Sequence, residues 1–350
     1  MGNQRISRAP SRLRPRHAER AEGSGSRRAS PIKIEPPSAE SPALKLSEAA
    51  GKLKVQGKEI PVSRLNKVFY PETSFTKGDV INYYIQISDV LLPHVKDRAL
   101  TLKRYPDGVE GGFFYEKRCP SYRPNWVKTA PIWSERHGEN IHYCLANDLP
   151  SLVWAANLGD IEIHTSLSLA KTPEQPAMMV FDLDPGPPAN ILHCAQAALW
   201  LKKELDASRL ECFPKTSGSK GLQVYVPLNS PATYAATKTY SHSLAERLER
   251  EHPELMVSRM EKRLREGKVL VDWSQNDRHK TTVCVYSLRA RPLPTASTPL
   301  EWKEVKAALQ KKEAGRLTFL SDEVLRRARE RGDLFEPILK LRQRLPKSGA

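Results

Sequence analysis

Residues 177–184, AMMVFDLD, form an apolar run that ends in two acids and is followed directly by Pro185-Gly186-Pro187-Pro188. The run predicts a buried strand, and the proline-rich turn ends it. Alternate residues of a strand share a face, so Asp182 and Asp184 are expected to project side by side from its end. Two carboxylates that close repel each other unless a cation bridges them, and such ligands suit Mg²⁺ or Mn²⁺. The alternative for this pair alone is two surface or capping aspartates before a turn.

A third acid, Asp272, interrupts a second short apolar run in VLVDWSQN (269–276). Three aspartates on strands can hold two metal ions about 3.5–4 Å apart, which clamp the attacking and leaving oxygens of a phosphoryl transfer. The alternative is an ordinary aspartate at the end of a strand.

A loop of small residues with a lysine, KTSGSKG (215–221), lies between two apolar runs. Its serines and glycines permit tight turns with exposed backbone N–H groups, and Lys220 adds a positive charge. The pattern favours phosphate binding, although the GxxxxGK[ST] sequence of a Walker A loop is absent. If the loop stood alone, a flexible connection between strands would be the better interpretation.

Other cationic side chains lie in short apolar segments and could hold an anionic substrate. Arg289 and Arg291 alternate in SLRAR, so a strand would place both on one face, as bidentate phosphate ligands require. Lys103 lies similarly in TLKRYP, and His164 lies in IEIHTSL. The alternatives are a solvated basic strand for the cations and a structural role for the histidine.

Phe113 and Phe114 are consecutive in GGFFYEK, so one of the two rings is expected to face away from the core. An outward Phe beside Lys117 is typical of a platform on which a nucleic-acid base stacks. The alternative is a strand that is buried on both faces.

The charge balance limits the partners that the chain can have. Lys and Arg number 56 against 40 Asp and Glu, a net charge of +16 with a pI near 9.6, which predicts nucleic acid or an anionic membrane surface as partner. No apolar run reaches 18 residues, so no membrane span is predicted. The five cysteines are scattered without a CxxC pair, so neither a disulfide framework nor a zinc ribbon is expected, and a reducing cytosol fits best.

The composition divides the chain into an arm and a core. Residues 1–48 are basic and poor in large apolar side chains, which predicts a disordered arm, either a solvated tail or an electrostatic tether to DNA. Residues 49–350 alternate strand and helix patterns, with Thr76 as the predicted N-cap of one helix. The expected fold class is α+β (mixed α/β), one catalytic core with two lobes.

Taken together, these motifs resemble the polymerase domain of bacterial ATP-dependent DNA ligase D, a branch of the archaeo-eukaryotic primase superfamily. The resemblance runs from about residue 65 to residue 346, with VFDLDPG, KTSGSKGL, VDWSQN and KTTVCVYSLRARP in family order and spacing. It implies two packed αβ lobes around a central cleft. It also implies template-directed nucleotidyl transfer that fills gaps and extends ends in non-homologous end joining of double-strand breaks.

The resemblance also implies roles for individual residues. Asp182, Asp184 and Asp272 match the catalytic metal triad of the family, which favours Mn²⁺ and often prefers ribonucleotides to deoxyribonucleotides. The positions that hold the incoming nucleotide are Lys103, His164, Ser217, Lys220, Gln223, Gln275, Arg289 and Arg291. The positions that contact DNA are the stacking pair Phe113 and Phe114, with Lys117 beside them, and Lys67 and Lys77, which recognise the 5′-phosphate of the downstream strand.

The chain departs from the family pattern at three places. Gln223 stands where the family usually has His, Ser166 replaces the Trp of an HTW phrase, and the RGKTT phrase reads RHKTT (278–282). Because the three aspartates are intact, catalysis is expected to survive with an altered rate or nucleotide choice.

The ligase signature KxDG is absent, so the sequence predicts a stand-alone polymerase that works beside a separate DNA ligase and Ku, in the bacterial cytoplasm at the nucleoid. Two other readings stay open. One is a primase that starts strands without a primer. The other is a catalytically weak module that binds 5′-phosphorylated DNA ends.

Overall fold

The computed structural model describes residues 32–34 and 50–346. The predicted basic arm, residues 1–48, lies outside the described residues except for 32–34. No helix in the described ranges is both long and apolar enough to cross a lipid bilayer.

Strands alternate with helices along these ranges. The strands are β1 Ile32–Ile34, β2 Ala50–Val55, β3 Lys58–Ser63, β4 Val68–Tyr70, β5 Phe75–Thr76, β6 Leu100–Arg104, β7 Phe114–Glu116, β8 Thr129–Ser134, β9 Glu139–Cys144, β10 Asp160–Thr165, β11 Met178–Pro185, β12 Phe213–Thr216, β13 Leu222–Pro227, β14 Met256–Val257, β15 Val269–Asp272 and β16 Thr282–Val283. The α-helices are α1 Lys77–Gln86, α2 Ser88–Val95, α3 Leu149–Asn157, α4 Ile191–Ala207, α5 Tyr234–Glu251, α6 Trp302–Lys311, α7 Ser321–Arg331 and α8 Pro337–Lys340.

Two sheets organise the molecule. One has the strand order β16-β10-β6-β9-β8, with β7 also paired to β6, and the other has the order β12-β13-β11-β15-β14. The segment after β16 connects the two sheets, because the Cys284 N–H donates to the Ile163 carbonyl while Pro299 bridges to Lys215 of β12. Smaller sheets are formed by β1-β2-β3 and by β4-β5. This mixed αβ architecture confirms the predicted fold class.

Most predicted elements are present for the predicted reasons. Helix α1 begins after Thr76, whose hydroxyl accepts from the Asp79 N–H while the Asp79 carboxylate accepts from Thr76, a complete capping box. Strand β11 is buried from Met178 to Phe181, as its continuous apolar run predicts.

Two predictions are wrong. The strand expected through SLRAR ends at Val283, because Tyr286 adopts a φ of 66° and turns the chain, so Arg289 and Arg291 lie outside any strand. The expectation of no disulfide fails at Cys119 and Cys144, which are bonded to each other. The Cys119 N–H donates to the His142 carbonyl and so aligns its loop with β9, a contact between distant residues that the scattered spacing does not reveal.

Candidate active site

A row of polar side chains crosses the second sheet where its apolar core ends. Asp182 of β11 lies opposite Gln223 of β13 on one side and opposite Asp272 of β15 on the other. Residues directly opposite each other point to the same face, so these side chains are neighbours. Asp184 follows two positions later on the same face of β11, as the alternation in the sequence predicts.

The carboxylates of this row repel one another. Burial and the charges of Asp184 and Asp272 raise the pKa of Asp182, and the removal of water together with the charge of Asp272 raises the pKa of Asp184. The Oδ1 atom of Asp182 is buried and has no hydrogen-bond partner within the described residues. Unpaired oxygen and clustered negative charge suit divalent cations.

Within residues 32–34 and 50–346, no three His, Cys, Asp or Glu side chains are already gathered as a metal centre. The donor set nevertheless fits hard divalent ions, because it consists of carboxylate oxygens with one unpartnered oxygen at its centre.

Asp272 is held in place by the residues that follow it. Its Oδ1 accepts from the backbone N–H of Ser274 at 2.9 Å, and its Oδ2 accepts from Gln275 Nε2 at 2.7 Å. Gln275 therefore positions an acid of the triad as well as lining the pocket beside it.

The loop at 215–221 is closed by hydrogen bonds to one of its own serines. The Ser217 hydroxyl accepts from the N–H groups of Ser219 and Gly221, both at 3.2 Å, and closes the turn. Gly218 has a φ of 68°, and a Cβ at Gly221 would lie 2.1 Å from the Leu183 carbonyl oxygen. Glycine is therefore required at both positions, and the loop lies against the end of β11 beside Asp184.

A buried acid that the sequence analysis missed organises the cations of the site. Glu162 is 1% exposed and accepts from His164 Nε2 at 3.0 Å and from Lys103 Nζ at 3.2 Å. The Arg289 Nε lies 3.4 Å from the same carboxylate, and the Ala290 N–H donates to it at 3.1 Å.

Glu162 stays ionised despite its burial. Burial alone would raise the pKa of Glu162, but the hydrogen bond from His164 and the charges of Arg289, His164 and Lys103 outweigh it and hold the pKa well below its usual range. Burial lowers the pKa of His164. The position of this acid could have been noticed in the sequence, because residues 162 and 164 alternate onto one face of IEIHT.

A pocket of about 320 Å³ joins the aspartates, the loop and the cations. Most of the residues predicted to bind the nucleotide line it, and they come from both sheets: His164, Asp182, Asp184, Ser217, Lys220, Gln223, Gln275, Arg289 and Arg291. Lys103 and Asp272 are not among the lining residues. Lys103 donates a hydrogen bond to Glu162, and Asp272 accepts one from Gln275, which does line the pocket. The structure adds Ser219 and Thr281–Val283 to the lining.

A family model for the LigD primase-polymerase domain matches residues 76–335. The chain belongs to this family, whose members are DNA nucleotidyltransferases.

The multifunctional non-homologous end joining protein LigD of Mycolicibacterium smegmatis is 38% identical over 275 residues, covering 78% of this chain and 35% of that protein. The bifunctional LigD of Bacillus subtilis is 34% identical over 278 residues, 79% of this chain and 44% of the relative. The polymerase domain of Mycobacterium tuberculosis ligase D, solved in complex with DNA, superimposes with a TM-score of 0.74 at 34% identity, over 80% of this chain and 98% of that one. The chain thus spans about a third of the length of the Mycolicibacterium smegmatis protein and less than half of the Bacillus subtilis protein.

The residues of this chain that the LigD resemblance predicts to bind DNA are not among those that line the pocket. Phe113 and Phe114 are both exposed and face opposite ways, Phe113 towards Lys103 and Tyr105 and Phe114 towards Arg104. Tyr115, which the sequence analysis did not single out, is 58% exposed and contacts His164 edge to face. The Tyr115 ring therefore lies between the exposed ring of Phe113 and His164, which lines the pocket.

Lys117, which the sequence predicts beside the stacking rings, points to a different segment. Its Nζ donates a hydrogen bond to the His279 carbonyl at 3.0 Å. It therefore holds the strand that carries the aromatic rings against the segment before β16.

Lys67 and Lys77 lie next to each other although they are ten residues apart. The Lys77 N–H donates to the Lys67 carbonyl at 2.8 Å, and Lys67 Nζ is paired with Asp107. Lys77 is buried with its Nζ on the Ser63 carbonyl, and burial together with the charges of Arg64 and Lys67 lowers its pKa to about 8. Arg64 is a third cation that the LigD resemblance did not bring forward.

Proposed function

We propose that the chain transfers nucleotides to the 3′ end of a DNA primer under the direction of a template, filling gaps and extending ends in non-homologous end joining. The observation that carries this proposal is that Asp182 and Asp272 lie opposite each other beside a pocket. The serine- and glycine-rich loop at 215–221 lines this pocket together with Arg289 and Arg291. Membership of the LigD primase-polymerase family and the end-joining relatives support it.

The pocket suits a nucleoside triphosphate. The loop N–H groups, Lys220, Arg289 and Arg291 supply donors and positive charge for the phosphates, and Glu162 holds Lys103, His164 and Arg289 in fixed positions. The α-phosphate then faces the aspartates, where the primer 3′-hydroxyl attacks it and pyrophosphate leaves. Both ribonucleoside and deoxyribonucleoside triphosphates are accepted substrates in this proposal.

Asp182, Asp184 and Asp272 would hold two divalent ions, Mn²⁺ or Mg²⁺. When bound, such ions stabilise the charge on the attacking and leaving oxygens. The chain's own contribution is to fix the ligands: Ser274 and Gln275 orient Asp272, and the apolar core of β11 fixes the backbone beneath Asp182 and Asp184.

The DNA is proposed to bind along the exposed aromatic and basic surfaces beside the pocket. Template bases stack on the exposed rings of Phe113 and Tyr115, which contact each other, and on the ring of Phe114, which faces the opposite way. Lys67 and Lys77, with Arg64, receive the downstream 5′-phosphate, which displaces Asp107 from Lys67. Ku and a DNA ligase are proposed partners, on the basis of the end-joining relatives.

The basic arm, residues 1–48, is proposed as an electrostatic tether. Removal of this arm should flatten the salt dependence of DNA binding by roughly 0.9 in log–log slope for each phosphate that it neutralises. An unchanged slope would assign it no DNA contact.

Primer extension on a gapped duplex tests the proposed function. The assay compares substrates with and without the downstream 5′-phosphate, NTPs with dNTPs, and Mn²⁺ with Mg²⁺. Metal-dependent extension that the 5′-phosphate stimulates supports the proposal. Dinucleotide synthesis on unprimed single strands without that stimulation would favour a primase, and tight binding of 5′-phosphorylated ends without extension would favour an end-binding module.

A further inference from the structure

A buried lysine extends the polar row of the second sheet by one strand. Lys215 of β12 lies opposite Gln223 of β13, which in turn lies opposite Asp182 of β11. Lys215 is 1% exposed, and within the described residues no carboxylate forms an ion pair with it. Burying an ammonium group in this way is costly unless each of its protons has an acceptor.

The Lys215 ammonium group has three acceptors. Its Nζ donates to Gln223 Oε1, to Ser297 Oγ at 2.7 Å and to the Val283 carbonyl at 3.1 Å. The Ser297 hydroxyl donates its own proton to the Thr216 carbonyl at 2.8 Å, so towards Lys215 it can only accept. The charged form of the lysine therefore satisfies the whole cluster.

These contacts decide which way the Gln223 amide points. A glutamine amide has an oxygen that accepts and an NH₂ group that donates, and the two ends have nearly the same shape. An ammonium group only donates, so it fixes the amide oxygen towards Lys215. The NH₂ end is then directed at Asp182, which lies directly opposite Gln223 on the neighbouring strand β11.

We infer that Lys215 is a positioning residue that acts through the Gln223 amide to hold the Asp182 carboxylate in the orientation that binds metal. The inference rests on the proposed function, because it assigns Asp182 to the metal site. The amide NH₂ thereby faces Asp182 across the strand pair, and the Asp182 Oδ1 is buried and has no hydrogen-bond partner within the described residues. In this role, Gln223 must accept a hydrogen bond on one side of its terminal group and donate one on the other side. The amide oxygen and the amide NH₂ group meet these two requirements.

A double-mutant cycle distinguishes this role from simple structural support. The variants are Lys215→Met, Gln223→Met and the double substitution, and the first readout is Mn²⁺ binding without nucleotide or DNA, measured by electron paramagnetic resonance of the free ion. A hydrogen bond to a charged group is worth enough to change affinity by about tenfold. Each single variant is expected to weaken Mn²⁺ binding by about that factor, and the double variant by no more than Gln223→Met alone.

Either of two results would overturn the inference: Mn²⁺ affinity in Lys215→Met equal to that of the parent, or losses that multiply in the double variant. Ser297→Ala is the matched control, because it removes an acceptor of Lys215 that is not connected to Asp182. It should lower the melting temperature and leave Mn²⁺ binding at the parent value. If Lys215→Met does not fold, Lys215→Gln carries the same expectation, since a neutral amide lets Gln223 turn either way.

Primer extension by the parent protein in the same preparation separates this inference from the proposed function. If the parent binds Mn²⁺ but does not extend primers, the proposed function fails, while the binding cycle still decides the role of Lys215. If the parent extends primers and the cycle is additive, only the inference about Lys215 fails.

Discussion

Asp182 on β11 lies directly opposite Asp272 on β15, so two carboxylates face each other across neighbouring strands of one sheet. Like charges in this position destabilise a sheet, and burial adds to the cost of ionising Asp182. The repulsion therefore lowers the stability of the metal-free protein, and the proposed divalent cations would relieve it.

Asp182→Asn should stabilise the metal-free protein and abolish extension. The pKa of Asp182 is raised on folding, so the unfolded chain loses this proton first and the folded state is penalised as the pH rises above about 4, the ordinary pKa of the group. At pH 8 without divalent ions the variant should therefore melt higher than the parent, and the difference should vanish below about pH 4. Mn²⁺ should raise the melting temperature of the parent alone. A variant that melts lower at pH 8 would contradict this.

Glu162→Gln should destabilise the protein and make it respond more strongly to phosphate. The substitution leaves Lys103 and Arg289 without their shared buried counterion, at a cost of about 3–5 kcal/mol in the free energy of unfolding. Inorganic triphosphate can replace the missing negative charge, so it should raise the melting temperature of the variant more than that of the parent.

Glu116→Gln is the matched control for this experiment. Glu116 of β7 forms an ion pair with Arg104 of β6, and neither residue lines the pocket. Its response to triphosphate should equal that of the parent. A smaller triphosphate shift in Glu162→Gln than in the parent would show that Glu162 does not organise the phosphate-binding cations.

Gly221→Ala should impair nucleotide use. A Cβ at this position would lie 2.1 Å from the Leu183 carbonyl oxygen, so the loop must move away from the end of β11. A displacement of about 1 Å in a group that positions substrate can cost on the order of 10²-fold, and steady-state extension should show this loss in kcat/KM for the nucleotide. Gly315→Ala, where nothing lies within 4 Å of the new Cβ, is the control and should behave as the parent does.

The preference for a downstream 5′-phosphate should weaken as the pH rises through about 8. Burial and the charges of Arg64 and Lys67 lower the pKa of Lys77 to about 8, so the lysine is charged below that pH and neutral above it. Binding of gapped duplexes with and without the phosphate, compared by fluorescence anisotropy from pH 7 to pH 9, measures the effect. Lys77→Arg stays charged and should keep a constant preference over this range. A parent preference that does not change with pH would place Lys77 outside the phosphate site.

The parts of the site that follow from local pattern could be predicted from the sequence. The alternation of Asp182 and Asp184, the tight loop with Ser217, and the capped start of α1 each depend on residues within a few positions of one another. The structure gathers His164, Ser217, Lys220, Gln223 and Arg289 around one pocket, and their roles in nucleotide binding stay predictions.

Features that depend on register between distant strands could not be predicted. Lys215 is an ordinary loop-edge lysine in the sequence, and only the β12–β13–β11 register places it in line with Asp182. The convergence on Glu162 joins β6, β10 and the turn after Tyr286, and the Cys119–Cys144 bond joins a loop to β9. The alternation in its segment predicts a strand at Arg289, whereas the chain turns at Tyr286, which has a positive φ and bonds to the distant residues Tyr83 and Asp333.

The row formed by Asp182 and Asp272 is proposed as the catalytic centre of a template-directed nucleotidyltransferase. Single-turnover incorporation of one nucleotide opposite a defined template base, in a gapped 5′-phosphorylated duplex with Mn²⁺, tests it most directly when the parent is compared with Asp272→Asn. The parent should incorporate the complementary nucleotide, whereas the variant should bind the duplex with parental affinity and incorporate nothing above background. Incorporation by Asp272→Asn at the parental rate would contradict it.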